Sequence, residues 1–258
     1  MECAPGFTVD DMDAHNTLSG RVALVTGGSR GIGRAIAVAL AGAGAAVAVN
    51  YRSRKDEAEA VVAEIERSGG RGSAVGGDVS VAADVDTMVG QVVAGLGPVD
   101  ILINNAGIGP VRDIDELTEE DFDRTLAVNL KSAFLCTQAV VPGMRARRWG
   151  RIVNMSSVAA RGGGALGVHY NASKAGLEGL TRGYAARLAA EQITVNAVAP
   201  GPVDTEMAAP LKAAGVAASL PVGRMGTPEE VADAVLMVVR NGFLTGQAIA
   251  VNGGRIFT

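Results

Sequence analysis

A short apolar run joined to a helical pattern by a glycine-rich turn constrains the fold of this chain more than any other stretch. Val22–Val25 form the run, which is typical of a strand buried on both faces of a parallel sheet. Gly27, Gly31 and Gly33 occupy the turn, where a missing Cβ lets the backbone turn tightly or approach a ligand. From Ile32 onward the apolar spacing is helical, so the free N–H groups of the helix start point at the turn. The stretch predicts a strand–turn–helix unit shaped to hold a pyrophosphate.

The glycine spacing by itself leaves two interpretations open. G-x-x-x-G-x-G at 27–33 differs from the G-x-G-x-x-G of the usual dinucleotide fingerprint, and no lysine follows as in the G-x-x-x-x-G-K-[ST] nucleotide loop. The alternative is a tight strand-to-helix connection that binds nothing, since a chain with 35 glycines can acquire such a cluster by chance. Other residues must decide whether a dinucleotide binds here.

Composition restricts the classes of protein and of partner. A length of 258 residues, with 48% hydrophobic and 19% charged residues, indicates a globular chain with a large core, built as one α/β domain or two small ones. The net charge of −4 argues against nucleic acid or an anionic membrane as the main partner. The chain lacks the run of about eighteen apolar residues that predicts a membrane span. Residues 1–19 lack the basic start and apolar core of a secretion signal, so we expect a flexible leader and a cytoplasmic protein.

The few cysteines and histidines argue against a disulfide framework or a metal centre. Cys3 lies in the polar leader and Cys136 in an apolar helical segment, so the two have dissimilar settings. His15 and His169 are the two histidines of the chain, too few for a histidine-based metal site. We therefore predict no bound metal.

Strand and helix patterns alternate along the chain. Apolar, β-branched runs predict strands at 22–25, 46–50, 73–77, 100–105, 151–155, 193–199 and 247–251. Helical spacing predicts helices from Ile32, over 55–68, 81–96, 118–147 and 169–190, and from Thr227. Thr118 with Asp121, and Thr227 with Glu230, have the spacing of a capping box. The alternation predicts one Rossmann-like domain over residues 20–258, with a doubly wound parallel sheet of about seven strands and helices on both faces.

One helical pair has the chemistry of a proton donor. Tyr170 and Lys174 are four residues apart, so they share a face of the predicted helix. A nearby ammonium stabilises phenolate, and we expect the pKa of Tyr170 to fall from about 10 towards the working pH. Such a phenol can act as a general acid or base. A surface tyrosine with a lysine neighbour is the alternative for this spacing.

These motifs and several others stand in one order from Leu18 to the end of the chain. They are T-G-x-x-x-G-x-G at 26–33, Asp78 with Val79, N-N-A-G at 104–107, Asn129, Ser157, Y-x-x-x-K at 170–174 and P-G-x-x-x-T at 200–205. In this order the chain resembles the short-chain dehydrogenase/reductase family, and most closely its 3-oxoacyl-(acyl-carrier-protein) reductases. The resemblance implies a nicotinamide-dependent oxidoreductase that acts on a carbonyl compound or an alcohol.

The resemblance assigns catalytic roles to four residues. Tyr170 would donate a proton to the substrate oxygen, and Ser157, thirteen residues earlier, would hold and orient that oxygen. Lys174 would lower the pKa of Tyr170 and bind the nicotinamide ribose. Asn129 would position a water that links Lys174 to solvent, which also gives a reason for an asparagine inside a helical pattern.

The same resemblance places a dinucleotide along the carboxyl ends of the strands. The predicted cofactor-binding residues, besides Tyr170 and Lys174, are Gly27, Ser29, Arg30, Gly31, Ile32, Gly33, Asn50, Tyr51, Arg52, Ser53, Asp78, Val79, Asn105, Ala106, Gly107, Pro200, Gly201, Val203 and Thr205. NAD enzymes place an acid at the end of the second strand, on the ribose 2′-hydroxyl. Here Arg52 stands near that end and Arg30 in the glycine turn, and a guanidinium suits a 2′-phosphate. We therefore expect NADP(H), with solvated surface arginines as the alternative.

The substrate is less constrained than the reaction. We expect a 3-oxoacyl thioester or a similar ketone, with sugar, polyol or other secondary-alcohol dehydrogenation as the alternative and a non-catalytic dinucleotide sensor as a remote one. A carrier-protein reductase would have arginines at two docking positions. Arg148 occupies the first, but Glu191 occupies the second, where an acid opposes an acidic partner. The alanine-rich stretch 206–220 predicts a mobile lid, and His169 is either a substrate contact or an ordinary loop residue.

The family also implies a homotetramer in which the helices 118–147 and 169–190 pair across subunits. Gly176, Gly179 and Gly183 on the second of these helices permit close approach. Packing of the same glycines against the sheet is the alternative.

Overall fold

Seven strands, all parallel, form a single sheet in the part of the chain that the structure describes, residues 17–257 of a computed structural model. The strands are β1 Val22–Val25, β2 Ala46–Tyr51, β3 Arg71–Gly76, β4 Ile101–Asn104, β5 Gly150–Met155, β6 Ile193–Pro200 and β7 Ala248–Val251. Their order across the sheet is β3-β2-β1-β4-β5-β6-β7, so the order reverses between β1 and β4. Ligands bind beside such a reversal, at the carboxyl ends of the strands. The predicted doubly wound sheet is confirmed.

Helices connect the strands and cover both faces of the sheet. They are α1 Gly31–Gly42, α2 Lys55–Arg67, α3 Ala82–Gly95, α4 Glu119–Leu126, α5 Ser132–Arg147, α6 Val168–Leu188, α7 Ala209–Ala213 and α8 Pro228–Arg240. In β1, Ala23 and Val25 pack with α1, α2 and α8, while Val22 and Leu24 pack with α3, α5 and α6. Both faces of the strand are therefore apolar, which explains its unbroken apolar run.

The helix predicted over 118–147 is interrupted. A π-helical turn, Ala127–Lys131, separates α4 from α5. Such turns insert one extra residue into a helical ladder and often mark functional sites. Its central residue is Asn129, which explains why an asparagine stands at this point of the pattern.

The two predicted capping boxes differ in the structure. At α8 the box is complete, because Thr227 Oγ1 accepts from Glu230 N at 3.2 Å and Thr227 N donates to Glu230 Oε2 at 2.8 Å. At α4, Thr118 Oγ1 accepts from Asp121 N at 3.1 Å. The Asp121 carboxylate, however, accepts from Arg112 Nε at 2.7 Å, so its main partner comes from the preceding loop.

The packed domain begins before residue 20. Leu18 is buried in the core, and its N–H donates to Ala43 O at 2.7 Å. Leu18, within the predicted leader 1–19, thus buries its side chain with the domain. The rest of the predicted leader, with Cys3 and His15, lies outside the described residues.

The described part of the chain contains neither a metal cluster nor a membrane span. Within residues 17–257, no group of three or more His, Cys, Asp or Glu side chains could hold a metal ion. No helix in that range is both long and apolar enough to cross a membrane. Cys136 is fully buried on α5, and burial raises the pKa of its thiol to about 12, so the reactive thiolate is disfavoured.

Candidate active site

The turn after β1 uses its glycines for two different reasons. Gly27 and Gly31 have φ angles of +59° and +52°, in the left-handed region that favours glycine. Gly33 allows close packing instead. A Cβ at Gly33 would lie 2.5 Å from Asn105 Nδ2 and closer still to Gly27 O. The start of α1 can therefore lie against the turn only when residue 33 has no side chain.

The start of α1 is open to an anion. Arg30, at the N-cap position, has an extended backbone and makes no side-chain capping hydrogen bond. The N–H groups of the first turn have no intrahelical partner and carry the positive end of the helix dipole. Ser29, Gly31 and Ile32 line a cavity at this end of the helix. The arrangement fits a pyrophosphate.

Two asparagines hold the turn in place. Asn105 Nδ2 donates to Thr26 O at 2.9 Å and to Gly27 O at 3.0 Å. Asn50 Oδ1 accepts from Gly27 N at 3.1 Å, while its Nδ2 donates to Gly77 O at 3.2 Å. Asn50 thus joins the glycine turn to the segment after β3, and it also lines the cavity.

Three arginines surround the end of β2. Arg52 Nη1 lies 3.7 Å from Asp78 Oδ2, Arg30 pairs with Glu206, and Arg54 Nη2 lies 3.9 Å from the same Glu206 carboxylate. These guanidinium groups are about half exposed and reach the cavity wall. Residues 50–54 include no acid for a ribose 2′-hydroxyl. The charge and donors of this group fit a phosphate.

Asp78 stays ionised at the edge of the cavity. Burial acts to raise the pKa of its carboxyl, but hydrogen bonds from Ser80 and the positive charges of Arg52 and Arg124 outweigh it and hold the pKa below its usual range. The carboxylate accepts from Ser80 N at 2.9 Å and from Ser80 Oγ at 2.6 Å. A group held in this way is an acceptor at neutral pH.

Ser157 follows β5 and is oriented by its own backbone. It is the N-cap of a 3₁₀ turn, Val158–Ala160, and its Oγ accepts from Ala159 N at 3.1 Å. With that lone pair engaged, the hydroxyl hydrogen is free to donate elsewhere. Its acceptor is the Tyr170 phenol oxygen, since a hydrogen bond from Ser157 acts to lower the pKa of that phenol.

Lys174 is buried on α6, one turn beyond Tyr170. Its Nζ donates to Met155 O at 2.7 Å and lies 5.6 Å from the centroid of the Tyr170 ring. Burial lowers the pKa of Lys174 to about 8, because a low dielectric disfavours the ammonium.

The expected fall in the pKa of Tyr170 is wrong for this structure. Burial raises the pKa above its usual value, and only the hydrogen bond donated by Ser157 acts against it. Lys174 does not compensate, because its ammonium donates to a backbone carbonyl rather than to the phenol. The phenol therefore rests as a protonated acid, ready to give a proton rather than to take one.

Asn129 supports the site from outside the cavity. Its Oδ1 accepts from Ile108 N at 2.8 Å, and its Nδ2 donates to Ile108 O at 2.9 Å and to Ser173 Oγ at 3.1 Å. A Cβ on Gly107 would lie 3.3 Å from Asn129 Oδ1 and 3.6 Å from Lys174 Nζ. Asn129 is thus close to Lys174, while its amide holds the backbone at Ile108.

One cavity of about 440 Å³ collects nearly all of the predicted residues. Its wall contains Ser157, Tyr170, Lys174 and every predicted cofactor-binding residue, and of the catalytic set it omits Asn129 alone. His169 is also absent from the wall. It is fully buried on the first turn of α6, with Nε2 3.2 Å from Pro110 O, so it is neither a loop residue nor a contact of this cavity.

A family comparison identifies the chain. The model of the short chain dehydrogenases matches residues 21–215, a range that contains every predicted site residue. The chain belongs to the short-chain dehydrogenase family. The predicted family resemblance is confirmed.

Individual relatives of this short-chain dehydrogenase cover almost the whole chain. The 3-oxoacyl-(acyl-carrier-protein) reductase of Synechocystis sp. is 41% identical over 242 residues, 93% of this chain and 98% of the relative. Nodulation protein G of Azospirillum brasilense is 40% identical, over 92% and 98% of the two chains. A blue fluorescent protein from a metagenomic library, solved in complex with NADPH, is 41% identical with a TM-score of 0.86, over 92% and 98% of the two chains.

Three residues outside the predicted catalytic and cofactor-binding sets close the short-chain dehydrogenase cavity around Tyr170, and one of them, Met207, lies in the predicted lid. Ile108, Leu166 and Met207 line it there. A Cβ on Gly109 would lie 3.5 Å from Tyr170 Cε2 and 2.7 Å from Leu166 Cδ1, so this wall is tightly packed. The signal that could have found part of it is the glycine-rich stretch 162–167, since glycines collect where backbone approaches other atoms closely.

Proposed function

We propose that this chain is an NADPH-dependent reductase that transfers hydride to a ketone, with Tyr170 as the general acid. One observation carries the proposal: Ser157, Tyr170 and Lys174 meet at the carboxyl ends of the strands, in the same cavity as the glycine turn. A cleft with a buried, protonated phenol and a neighbouring hydroxyl suits proton donation to a carbonyl oxygen.

The residues of the chain divide the work of this reaction. The cofactor, NADP(H), supplies the hydride when bound. Ser157 donates a hydrogen bond to the substrate oxygen and so orients it towards Tyr170. Tyr170 donates the proton that turns this oxygen into a hydroxyl, and Lys174, with a pKa of about 8, is poised to pass a proton back. Asn129 holds the backbone beside Lys174, and we retain its predicted role in the proton path.

The cofactor of the chain is NADP(H). The uncapped start of α1 would hold the pyrophosphate, Asp78 and Val79 would flank the adenine, and Arg30 and Arg52 would meet the 2′-phosphate. The absence of an acid within residues 50–54 supports the phosphorylated dinucleotide. The structure of the 41% identical blue fluorescent protein contains NADPH, which supports the same choice.

A 3-oxoacyl thioester is the substrate class that we favour, because a curated relative of that activity is 41% identical over nearly the whole chain. Glu191 opposes the docking of an acidic carrier protein less than its sequence position suggested. Glu191 Oε2 lies 2.8 Å from Arg145 Nε, so its negative charge is paired. Arg148 Nη2 donates to Ala190 O at 3.0 Å on the same surface. An acidic carrier protein would therefore meet a surface with positive charge, and its docking stays part of the proposal.

Further proposals concern the lid, the assembly and the location. Residues 206–220 form short helical turns, and Met207, Leu211 and Val216 among them line the cavity, which suits a lid over the substrate. Phe122 on α4 and Phe134 on α5 are more than a third exposed, as expected if these helices are covered in a homotetramer. We also propose that the protein acts in the cytoplasm.

Purified protein tests the function directly. We expect oxidation of NADPH, followed by its absorbance, with a small diketone and faster oxidation with acyl thioesters in a panel that also includes quinones and sugars. Faster oxidation of a sugar alcohol than reduction of any ketone would instead indicate a polyol dehydrogenase. Tight NADPH binding without turnover of any carbonyl compound would contradict the reductase and favour a sensor.

A further inference from the structure

The turn that carries Ser157 is attached at two points. It begins at Ser157, directly after β5, and it ends at Arg161, the C-cap of the 3₁₀ turn Val158–Ala160. Because the turn is a single hydrogen-bonded unit, a displacement of its end at Arg161 also moves its start. The position of the Ser157 hydroxyl therefore depends on what holds Arg161.

A buried carboxylate on α6 holds Arg161. Arg161 Nε lies 3.2 Å from Glu178 Oε2, and the Glu178 side chain is only 9% exposed. Glu178 stands one helical turn beyond Lys174. Its second oxygen, Oε1, accepts from Ser156 Oγ at 3.3 Å, and the same hydroxyl is 3.3 Å from Lys174 O. The carboxylate thus contacts Ser156, just before the turn 157–161, and Arg161, at the end of that turn, and so joins the turn to α6.

The charge of Glu178 makes this attachment strong. A carboxylate so deeply buried is costly unless a cation pairs with it, and removing one partner of such a pair leaves an uncompensated charge. Arg161 is the one cation within salt-bridge distance of Glu178 in the described part of the chain. Arg161 also donates to Ala248 O on β7 at 3.3 Å, so its guanidinium has a defined place. Neither Arg161 nor Glu178 lines the cavity, so neither touches the reactants.

We propose that Arg161 and Glu178 are positioning residues whose ion pair locks the turn 157–161 onto α6 and so holds the Ser157 hydroxyl beside Tyr170. The effect of this ion pair on kinetics rests on the proposed reduction of a ketone. The attachment itself does not depend on that function.

Four variants and one control separate the positioning role from general stability. Arg161→Met and Glu178→Gln each remove one partner, Arg161→Lys keeps the charge, and Arg161→Met/Glu178→Gln removes both charges. Arg187→Met is the matched control, because Arg187 lies on α6 with Glu178 and, among the described residues, its side chain donates only to Gly183 O of that helix.

Steady-state kinetics with a small diketone give the first readout. We expect Arg161→Met to lower kcat at least tenfold while the dissociation constant of NADPH changes less than twofold, and Arg161→Lys to recover most of the activity. The double variant should regain thermal stability, since no buried charge is left unpaired, while kcat stays low. The alkaline limb of the pH profile should move to higher pH, since loss of the Ser157 hydrogen bond raises the pKa of Tyr170. Recovery of kcat together with stability would overturn the proposal.

Amide hydrogen exchange gives a readout that needs no activity. Peptides from 157–166 should exchange faster in the double variant than in the wild type or in Arg187→Met. If Arg161→Met does not fold, the double variant replaces it, because it leaves neither charge of the pair unpaired. Unchanged exchange, or faster exchange with unchanged kcat, would overturn the positioning role. A wild-type protein that reduces no ketone would instead refute the proposed function, and exchange would still decide whether the pair holds the turn.

Discussion

Burial moves the pKa values of Tyr170 and Lys174 in opposite directions. It raises that of the phenol and lowers that of the ammonium to about 8, because both neutral forms are favoured away from water. At neutral pH the tyrosine is therefore protonated, and the pKa of the lysine, about 8, lies close to that pH. This is a resting state suited to reduction, in which the tyrosine gives a proton away.

Tyr170→Phe should abolish ketone reduction and leave NADPH binding nearly intact. Phenylalanine keeps the ring and its packing, so only the proton donor is lost. General acids contribute about 10²- to 10⁴-fold, and kcat should fall by at least that factor. Tyr184→Phe makes the same chemical change on the same helix, at a buried hydroxyl without a hydrogen-bond partner among the described residues, and should keep full activity. A Tyr170→Phe enzyme with more than about a tenth of the wild-type kcat would show that another group is the acid.

Lys174→Met should stabilise the fold at neutral pH while it weakens turnover and cofactor binding. The folded pKa of about 8 lies below the usual lysine value of 10.5, so the unfolded chain binds more protons between these values. Wild-type stability should therefore rise from about pH 8 to 10.5, and below pH 8 the buried charge costs on the order of 3 kcal/mol. Urea unfolding at pH 7 and pH 10 should show the advantage of the variant shrinking as pH rises. A difference that does not vary with pH would contradict this account.

Arg52→Asp should remove the preference for NADPH over NADH. A charge-assisted phosphate contact is worth about 1.5 to 3 kcal/mol, so we expect the ratio of kcat/KM values for the two cofactors to change by about tenfold to a hundredfold. Arg67→Asp makes the same charge change at the end of α2, where its guanidinium donates to Ala63 O, and it serves as the control for long-range charge effects. Equal kcat/KM for NADPH and NADH in the wild type would refute the preference at once.

At the scale of elements, the contact between α1 and the glycine turn is the tightest requirement of the fold near the site. Gly33→Ala would push a Cβ against Asn105 Nδ2 and Gly27 O, both held by other bonds. We expect destabilisation of about 1 to 3 kcal/mol and a large loss of NADPH affinity. Gly42→Ala, at the end of the same helix with no atom of residues 17–257 within 4 Å of the new Cβ, should be neutral or stabilising by up to about 1 kcal/mol. Thermal unfolding and NADPH titration of both variants measure the contrast, and similar results for the two would contradict it.

The whole molecule is expected to be a homotetramer. Of the three glycines on α6, Gly176 packs within the chain, because a Cβ there would lie 2.7 Å from Leu130 Cδ2. Among the described residues, a Cβ on Gly179 would meet no atom within 4 Å, and one on Gly183 would meet only Arg187 Nη1 at 3.9 Å, so both positions have room for a neighbouring helix. Light scattering at micromolar concentration should give the mass of four chains. Gly179→Arg should reduce that mass, whereas Gly90→Arg, at an equally open site on α3, should not. A monomeric wild type would contradict the assembly.

The sequence by itself determined the features that depend on neighbouring residues. Sequence runs predicted all seven strands, with small errors at their ends. The runs are most continuous in interior strands such as β1, β4 and β6, because a strand buried on both faces must be largely apolar. The glycine turn and the four-residue spacing of Tyr170 and Lys174 were readable because helix geometry places such residues on one face. The order of the motifs along the sequence was then enough to identify the family.

Only the tertiary structure decided the features that depend on distant residues. The pKa of Tyr170 rises because elements far apart in the chain exclude water from it, and no local pattern contains that information. Asn129 reaches Ile108 across 21 positions, and Arg161 reaches Glu178 across 17. Leu18 joins the core through α1 rather than through its own neighbours. Burial and long-range pairing are set by which surfaces the fold brings together, and sequence spacing specifies only what lies within one element.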